Sequence, residues 1–289
     1  MPSSQSRPSG DAAIPVVPKP MRSPLGGLAL MIAGPLLAAA IFVAALWFQI
    51  VTNFAWMVIL AVAMFVVGGM IYDVGGRLRT LDGRELMRID PRPPVLYLRP
   101  FFEDKRSIYD SPQGKRVGAD LPEPAMRESA SPELKIGDPL KGIGPFVAVG
   151  VPGERLAPFG AARIYMSHAS WQEEIARIAE RAAALVLQPE MTPGTCWELE
   201  YAMHHVDPRR ILMLVPNPAV RPLGYRRIRL LTEPVLTHPL PGQCPPCDAF
   251  MFDAEGRPVP LLIRPNPAAG LAPFLDQVRR LGSPGGIPA

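Results

Sequence analysis

Two apolar runs without a formal charge, residues 25–48 and 54–72, set the pattern of the first third of the chain. Each is long enough for a helix to cross a hydrocarbon core of about 30 Å. The residues between them, 49–53, leave room only for a tight hairpin turn. A signal peptide is the alternative for the first run, but the run is too long for an h-region and lacks a small-x-small cleavage site before the second begins. Residues 25–78 are therefore expected to form a transmembrane helical hairpin. Residues 1–24 are rich in Pro, Ser and small polar residues without hydrophobic periodicity, and are expected to be a disordered tail. Lys19 and Arg22 precede the first run, while Arg77, Arg79, Arg84 and Arg88 follow the second. The positive-inside rule then puts both termini in the cytoplasm, with Trp47, Phe48 and Trp56 at the opposite interface of an inner or plasma membrane. Gly34-Pro35 and Gly68-Gly69 permit close helix packing or a kink.

Beyond an amphipathic connector, 79–94, the pattern changes to short apolar runs separated by amphipathic stretches. Val95 to Leu98, Phe146 to Val149, Ala182 to Leu187 and Ile211 to Val215 read as buried strands. Ile175, Ile178, Ala179 and Ala182 line one face of a helix launched by Ser170-Trp-Gln-Glu173, a capping-box sequence. Leu199, Ala202 and Met203 do the same for a helix after Pro193-Gly194. Alternating strands and helices predict an α/β fold, a parallel sheet with helices on both faces, over residues 95–218. Within it, residues 103–141 are polar and rich in Pro and Gly, and are expected to be an inserted loop or mobile lid. Residues 150–155 form a turn-rich corner of the kind that binds ligands. Residues 219–289 read as a C-terminal extension, with a basic-apolar segment at 225–231, an edge strand at 259–263 and a terminal helix at 271–281.

Composition adds constraints. The charged fraction of 19% is low for a soluble domain, in keeping with a part in lipid. A net charge of +4 over 289 residues is mild, and the aromatic residues do not interleave with the basic ones, so nucleic acid is not an expected partner. No charge lies within either apolar core, which leaves ion transport without ligands and points to an anchor. Cys244-Pro-Pro-Cys247 has the spacing of half a zinc site, but a second pair of ligands is missing beyond Cys196, His238 and His204-His205, so no metal is expected. Phosphate-loop and dinucleotide fingerprints are absent, as is a Ser/His/Asp order.

The most informative stretch is residues 188–205. It opens after a buried strand, breaks at Pro193-Gly194 and places Thr195 as a helix cap with Glu198 in the first turn. Ligands in open α/β sheets lie outside the carboxyl ends of the strands, so a carboxylate at this corner is placed for chemistry. The alternative is structural: Thr195-x-x-Glu198 is itself a capping box, in which the glutamate serves only the cap residue's backbone amide.

Gly194-Thr-Cys-Trp-Glu-Leu-Glu-Tyr-Ala202 resembles the Gly-Thr-Ala-Phe-Glu-(Ile/Leu)-Gly-Tyr-Ala segment of nucleoside 2-deoxyribosyltransferases, whose glutamate is the catalytic nucleophile. Leu96-Tyr-Leu-Arg-Pro-Phe-Phe102 is similar to the Ile-Tyr-Leu-Ala-Gly-Pro-Phe-Phe segment that opens those enzymes. The resemblance covers roughly residues 95–215, less the insertion. It implies a flavodoxin-like, deoxyribosyltransferase-like sheet and assigns Glu198 the catalytic role. Tyr97, Arg99, Phe101, Gln188, Thr195 and Trp197 are then the candidate substrate-binding residues. Related Toll/interleukin-1 receptor domains, some of which cleave NAD through a glutamate near the same corner, carry a Ser-x-Trp-Cys-x-x-Glu pattern not met here. The family's aspartate after the strand is replaced by Gln188-Pro-Glu190, and Glu200 stands for a glycine. Arg99 would crowd a nucleobase but suit a phosphate-bearing ligand.

The implied function is a membrane-anchored N-glycosidase or glycosyl transferase acting on a nucleoside, nucleotide or NAD at the cytosolic face, with NAD one of the candidate substrates and no cofactor. A carboxylate beneath the anomeric carbon would stabilise or capture the sugar cation, and the helix dipole would favour its ionised form. The alternative is a non-enzymatic, membrane-tethered nucleotide-binding or signalling module, self-associating through the hairpin or the α/β domain.

Overall fold

The structure, a computed structural model, describes residues 20–47, 54–99, 132–150, 154, 156, 157, 160–167, 169–215 and 222–282. Residues 1–19 of the expected tail, the hairpin turn 49–53, Phe101, most of the expected lid and most of the corner 150–155 lie outside these residues, whereas the tail's last residues are tied down, with the Ser23 amide donating to the Leu78 carbonyl at 3.0 Å. Helices α1 (Pro24–Trp47) and α2 (Phe54–Leu78) are both long and apolar enough to cross a membrane, and almost none of their surface is buried within the protein. They pack antiparallel at glycines: a Cβ on Gly27 would come within 2.4 Å of the Gly75 carbonyl, and one on Gly75 within 2.6 Å of the Gly27 carbonyl. Gly34 likewise faces Ile71, whereas Gly69 faces open space. Small residues let the two backbones approach where lipid offers no hydrophobic drive to association.

The connector is tied to the rest of the chain rather than free. Helix α3 (Gly83–Ile89) is capped by Asp82, whose carboxylate accepts from the Arg84 amide at 2.8 Å. Arg22 pairs with Glu85, and Arg84 pairs with Glu174. The Asp82 backbone bridges to Arg163 at the edge of the sheet.

Seven strands follow: β1 (Val95–Leu98), β2 (Phe146–Val149), β3 (Ala162–Ile164), β4 (Ala184–Leu187), β5 (Ile211–Leu214), β6 (Ala249–Phe252) and β7 (Pro258–Leu261). Their order is β3-β2-β1-β4-β5-β6-β7. The first five are parallel, as expected, but β6 runs antiparallel to β5 and β7 antiparallel to β6, so the sheet is mixed. The segment expected as an extension thus completes the same sheet. β5 leaves an edge whose backbone groups need partners, and β6 supplies them.

Helices α4 (Pro132–Lys141), α5 (Trp171–Ala179), α6 (Pro193–His205), α7 (Pro222–Thr232) and α8 (Pro267–Leu281) cover both faces. Alternate strand residues separate two cores. Leu96, Leu98, Leu185, Leu187 and Met213 pack with Ile175 of α5, Leu199 and Ala202 of α6 and Ile228 of α7. Val95, Tyr97, Val186 and Leu212 pack with Ile136 and Leu140 of α4 and with Phe274 and Val278 of α8. Residues 132–141, expected within the lid, are therefore a packed helix whose Ile136 and Leu140 are buried at the four-residue spacing of one face.

Candidate functional site

The chain leaves β1 for β2 on one side and returns across it to β4 on the other. The sheet therefore changes direction between β1 and β4, and the crevice outside their carboxyl ends is where open α/β sheets bind ligands. The two strands stay hydrogen-bonded to this rim, with the Gln188 amide donating to the Leu98 carbonyl at 2.9 Å. Across the same rim the Tyr97 hydroxyl bonds the Gln188 side-chain oxygen, joining two of the candidate binding residues. Tyr97 is only 1% exposed and stacks on Phe146, with ring centroids 5.8 Å apart.

Helix α6 begins earlier than its sequence pattern implied. Its cap is Thr192, whose hydroxyl accepts from the Thr195 amide at 3.3 Å, and Pro193 takes the first helical position, where a missing amide costs nothing. Thr195 is inside the first turn, and its hydroxyl donates to the Glu190 carbonyl. Glu198 therefore lies in the second turn. The capping box is not formed, and the structural reading of Glu198 as a cap partner fails. The box expected at Ser170 is also absent: the Ser170 hydroxyl contacts Ser167 at 2.6 Å and Glu174 at 3.2 Å, not a helix amide.

Thr195, Glu198, Leu199 and Ala202 form the buried stripe of α6. Glu198 is 5% exposed and has no hydrogen-bond or ion-pair partner among the described residues. Burial pushes its carboxyl up to about 8. This reverses the expectation of a helix-stabilised carboxylate, because the dipole acts within the first turn and desolvation governs the second. At neutral pH the unliganded group holds its proton.

The remaining candidates divide between the two faces of the sheet. Trp197, half-buried, packs edge-on against Trp171 of α5 at 5.0 Å and stacks on Tyr201 at 5.2 Å, while Tyr201 stacks on His205 at 4.4 Å. Arg99 lies on the α4 side, with Nε 3.8 Å from Glu133. Tyr97 and Gln188 are thus brought together, and Glu198 and Trp197 share α6. Arg99 is drawn toward an ion pair, and Phe101 lies outside the described residues.

That ion pair belongs to a buried cluster which the sequence reading missed. Glu133, in the first turn of α4, accepts from the Ala161 amide at 2.6 Å and from Arg163 Nη2 at 3.0 Å, with Arg163 Nη1 also 3.0 Å away. Arg163 is 1% exposed, in the middle of β3. Gly160, at φ 117°, brings the chain against the carboxylate: a Cβ there would lie 2.5 Å from Glu133 Oε1. The available signal was a lone arginine inside the apolar sequence Ala161-Ala-Arg-Ile-Tyr165.

Cys244 and Cys247 are free thiols. Burial pushes Cys247 up to about 12, with Cys244 beside it adding to the shift, and burial raises Cys244 as well. Among the described residues no three His, Cys, Asp or Glu side chains are grouped to hold a metal ion. No family model, curated protein or solved structure matches the chain.

Proposed function

We infer that the chain is a membrane-anchored N-glycosidase of a nicotinamide or related nucleotide, with Glu198 beneath the bond that breaks. The observation that carries this reading is a buried carboxyl, unpartnered among the described residues, at the switch point of a mixed α/β sheet. The order β2-β1-β4-β5 also supports the deoxyribosyltransferase-like resemblance, since it reproduces the first four strands of a flavodoxin-type sheet with β3 as an added edge.

Magnitudes select among substrates. A carboxyl near pH 8 is a poor nucleophile at pH 7 until a cation approaches. One positive charge about 4 Å away, at an effective dielectric constant near 20, contributes about 4 kcal/mol, or about three pH units. The pyridinium of NAD carries such a charge in the ground state, and its leaving group departs as neutral nicotinamide without needing a proton. As the C1′–N bond breaks, its electron pair leaves with the ring, and the ionised Glu198 faces the sugar cation until the carboxylate or water adds. A neutral nucleoside would meet a protonated carboxyl, fit to act as an acid but not as a nucleophile. Arginines at both membrane-proximal flanks support a cytoplasmic location for the sheet domain and this chemistry.

The test uses the full chain in a membrane mimic with NAD, nucleosides and nucleotides, following free base by chromatography. Base release from NAD by the parent, abolished in Glu198→Gln, is the expected result. Equal turnover by both proteins removes Glu198 from the mechanism. A second reading, a nucleotide-binding or signalling module without turnover, is favoured by one observation: Gln188-Pro-Glu190 stands where the resembled enzymes carry an aspartate after the strand. Saturable nucleotide binding without base release would establish it.

A further inference from the structure

Where the second spanning helix ends, a cavity of about 330 Å³ opens between the hairpin and the sheet domain. Arg79 and Thr80 line it from just beyond α2, Glu133, Asp138 and Lys141 line it from α4, and Gly160 closes it. Its volume is that of a small-ligand pocket. The charge-free run 54–72 covers about 28 Å at 1.5 Å per residue, close to a hydrocarbon core, so Asp73, Arg77, Arg79 and Thr80 follow it into the headgroup region.

The charges around the cavity favour an anion. Glu133 is neutralised from behind by Arg163, with Arg99 close by, and Asp138 is matched by Lys141 at 2.8 Å. Arg79 has no carboxylate partner among the described residues; its guanidinium reaches only the Met31 sulfur, at 3.6 Å. Behind the wall, the buried Nε of Arg163 also lacks an acceptor among the described residues. The exposed Lys141–Asp138 pair is of the screened kind that a stronger acceptor displaces at little cost.

We propose that this cavity binds the phosphate of an anionic phospholipid from the adjacent leaflet, with Arg79 and Lys141 as donors and Thr80 at its rim. The lipid would fix the tilt of the sheet domain against the membrane. The site rests on the reading of α1 and α2 as membrane-spanning, which alkaline extraction of the membrane fraction checks separately.

The full chain in neutral detergent micelles is titrated with phosphatidylglycerol, with phosphatidylcholine of the same acyl chains, and with inorganic phosphate, and binding is read by native mass spectrometry. Phosphatidylglycerol is expected to bind at least tenfold more tightly than phosphatidylcholine. The double variant Arg79→Gln/Lys141→Gln should lose that preference, whereas Arg88→Gln/Arg226→Gln, which removes the same charge from exposed positions away from the cavity, should keep it. Equal binding of the two lipids overturns the proposal. So does an equal loss in both double variants, which would mean diffuse attraction to a basic surface. Displacement of phosphatidylglycerol by millimolar inorganic phosphate would make the site one for a free anion and overturn the lipid assignment.

Discussion

Glu198 links stability to activity. Its folded-state value, about 8, is above the ordinary carboxyl value of 4.5, so the folded protein holds a proton that the unfolded chain releases. The stabilisation is complete below pH 4.5 and is lost as pH rises through 8, with a slope of about 1.4 kcal/mol per pH unit between the two. At pH 7 the accumulated cost is roughly 3 kcal/mol, and Glu198→Gln removes it. The variant is expected to have a higher Tm than the parent at pH 7–8 and a flatter Tm profile between pH 5 and 8, measured by calorimetry. An unchanged profile would mean that the carboxyl is solvated or paired. Activity should run the opposite way. With NAD, kcat/KM reports the free enzyme and is expected to climb about tenfold per pH unit up to about pH 8 and then level off, because the nucleophile must be ionised. The kcat profile, which reports the occupied site, should reach its plateau at lower pH, since the bound pyridinium favours the carboxylate. Superimposable profiles would show that no cation sits beside Glu198.

The caps and buried pairs show what a sequence pattern conveys and what it hides. Thr192-Pro193 carried the true helix start, since proline favours the first helical position, but Thr195-x-x-Glu198 gave a competing capping signal three residues later. Spacing alone does not rank the two; the geometry does. Thr192→Ala should therefore destabilise the protein by about 1 kcal/mol, the usual cost of a lost cap, in chemical denaturation. The strands β3 and β6 escaped notice for a simpler reason. β3 is three residues with Arg163 in the middle, and β6 follows the turn-rich stretch 241–247 with no helix between it and β7 to mark a strand-helix alternation. With β3 unseen, the partner of Glu133 was invisible too. Removing one member of this buried pair leaves the other uncompensated, so Glu133→Ala is expected to cost about 3–5 kcal/mol. Glu133→Ala with Arg163→Met should recover much of that loss, because the burial penalty of both charges disappears. A double variant no more stable than the single would show that the arginine is held by something other than this carboxylate.

At the scale of the whole chain, hydropathy disclosed the hairpin and the α/β class because long apolar runs and alternating elements survive any local ambiguity. The edge strand expected at 259–263 is β7, but the pattern did not disclose β6, which joins it to the same sheet, since strands pair through backbone groups that side-chain pattern does not mark. Leu212 and Leu214 of β5 are covered from the α8 side, and their strand is paired by β6. Orientation rests on charge instead. Arg22 stands before α1, and Arg77, Arg79, Arg84 and Arg88 follow α2, while the span between the two apolar cores carries no cation. Lysine and arginine resist translocation, so both ends should remain in the cytoplasm and the turn at 49–53 should cross. A phosphatase that is active only after export is then expected to be silent when fused after Ala289 and active when inserted between residues 49 and 53. A fluorescent protein that matures only in the cytoplasm should give the reverse pattern at the same two positions. Substituting Arg77, Arg79, Arg84 and Arg88 together by glutamine should weaken this preference and yield a mixed population, because the bias is set by these four cations and not by the apolar segments. Export of the fusion after Ala289 in the parent chain would place the sheet domain outside the cytoplasm, away from the cellular NAD pool that the proposed chemistry needs.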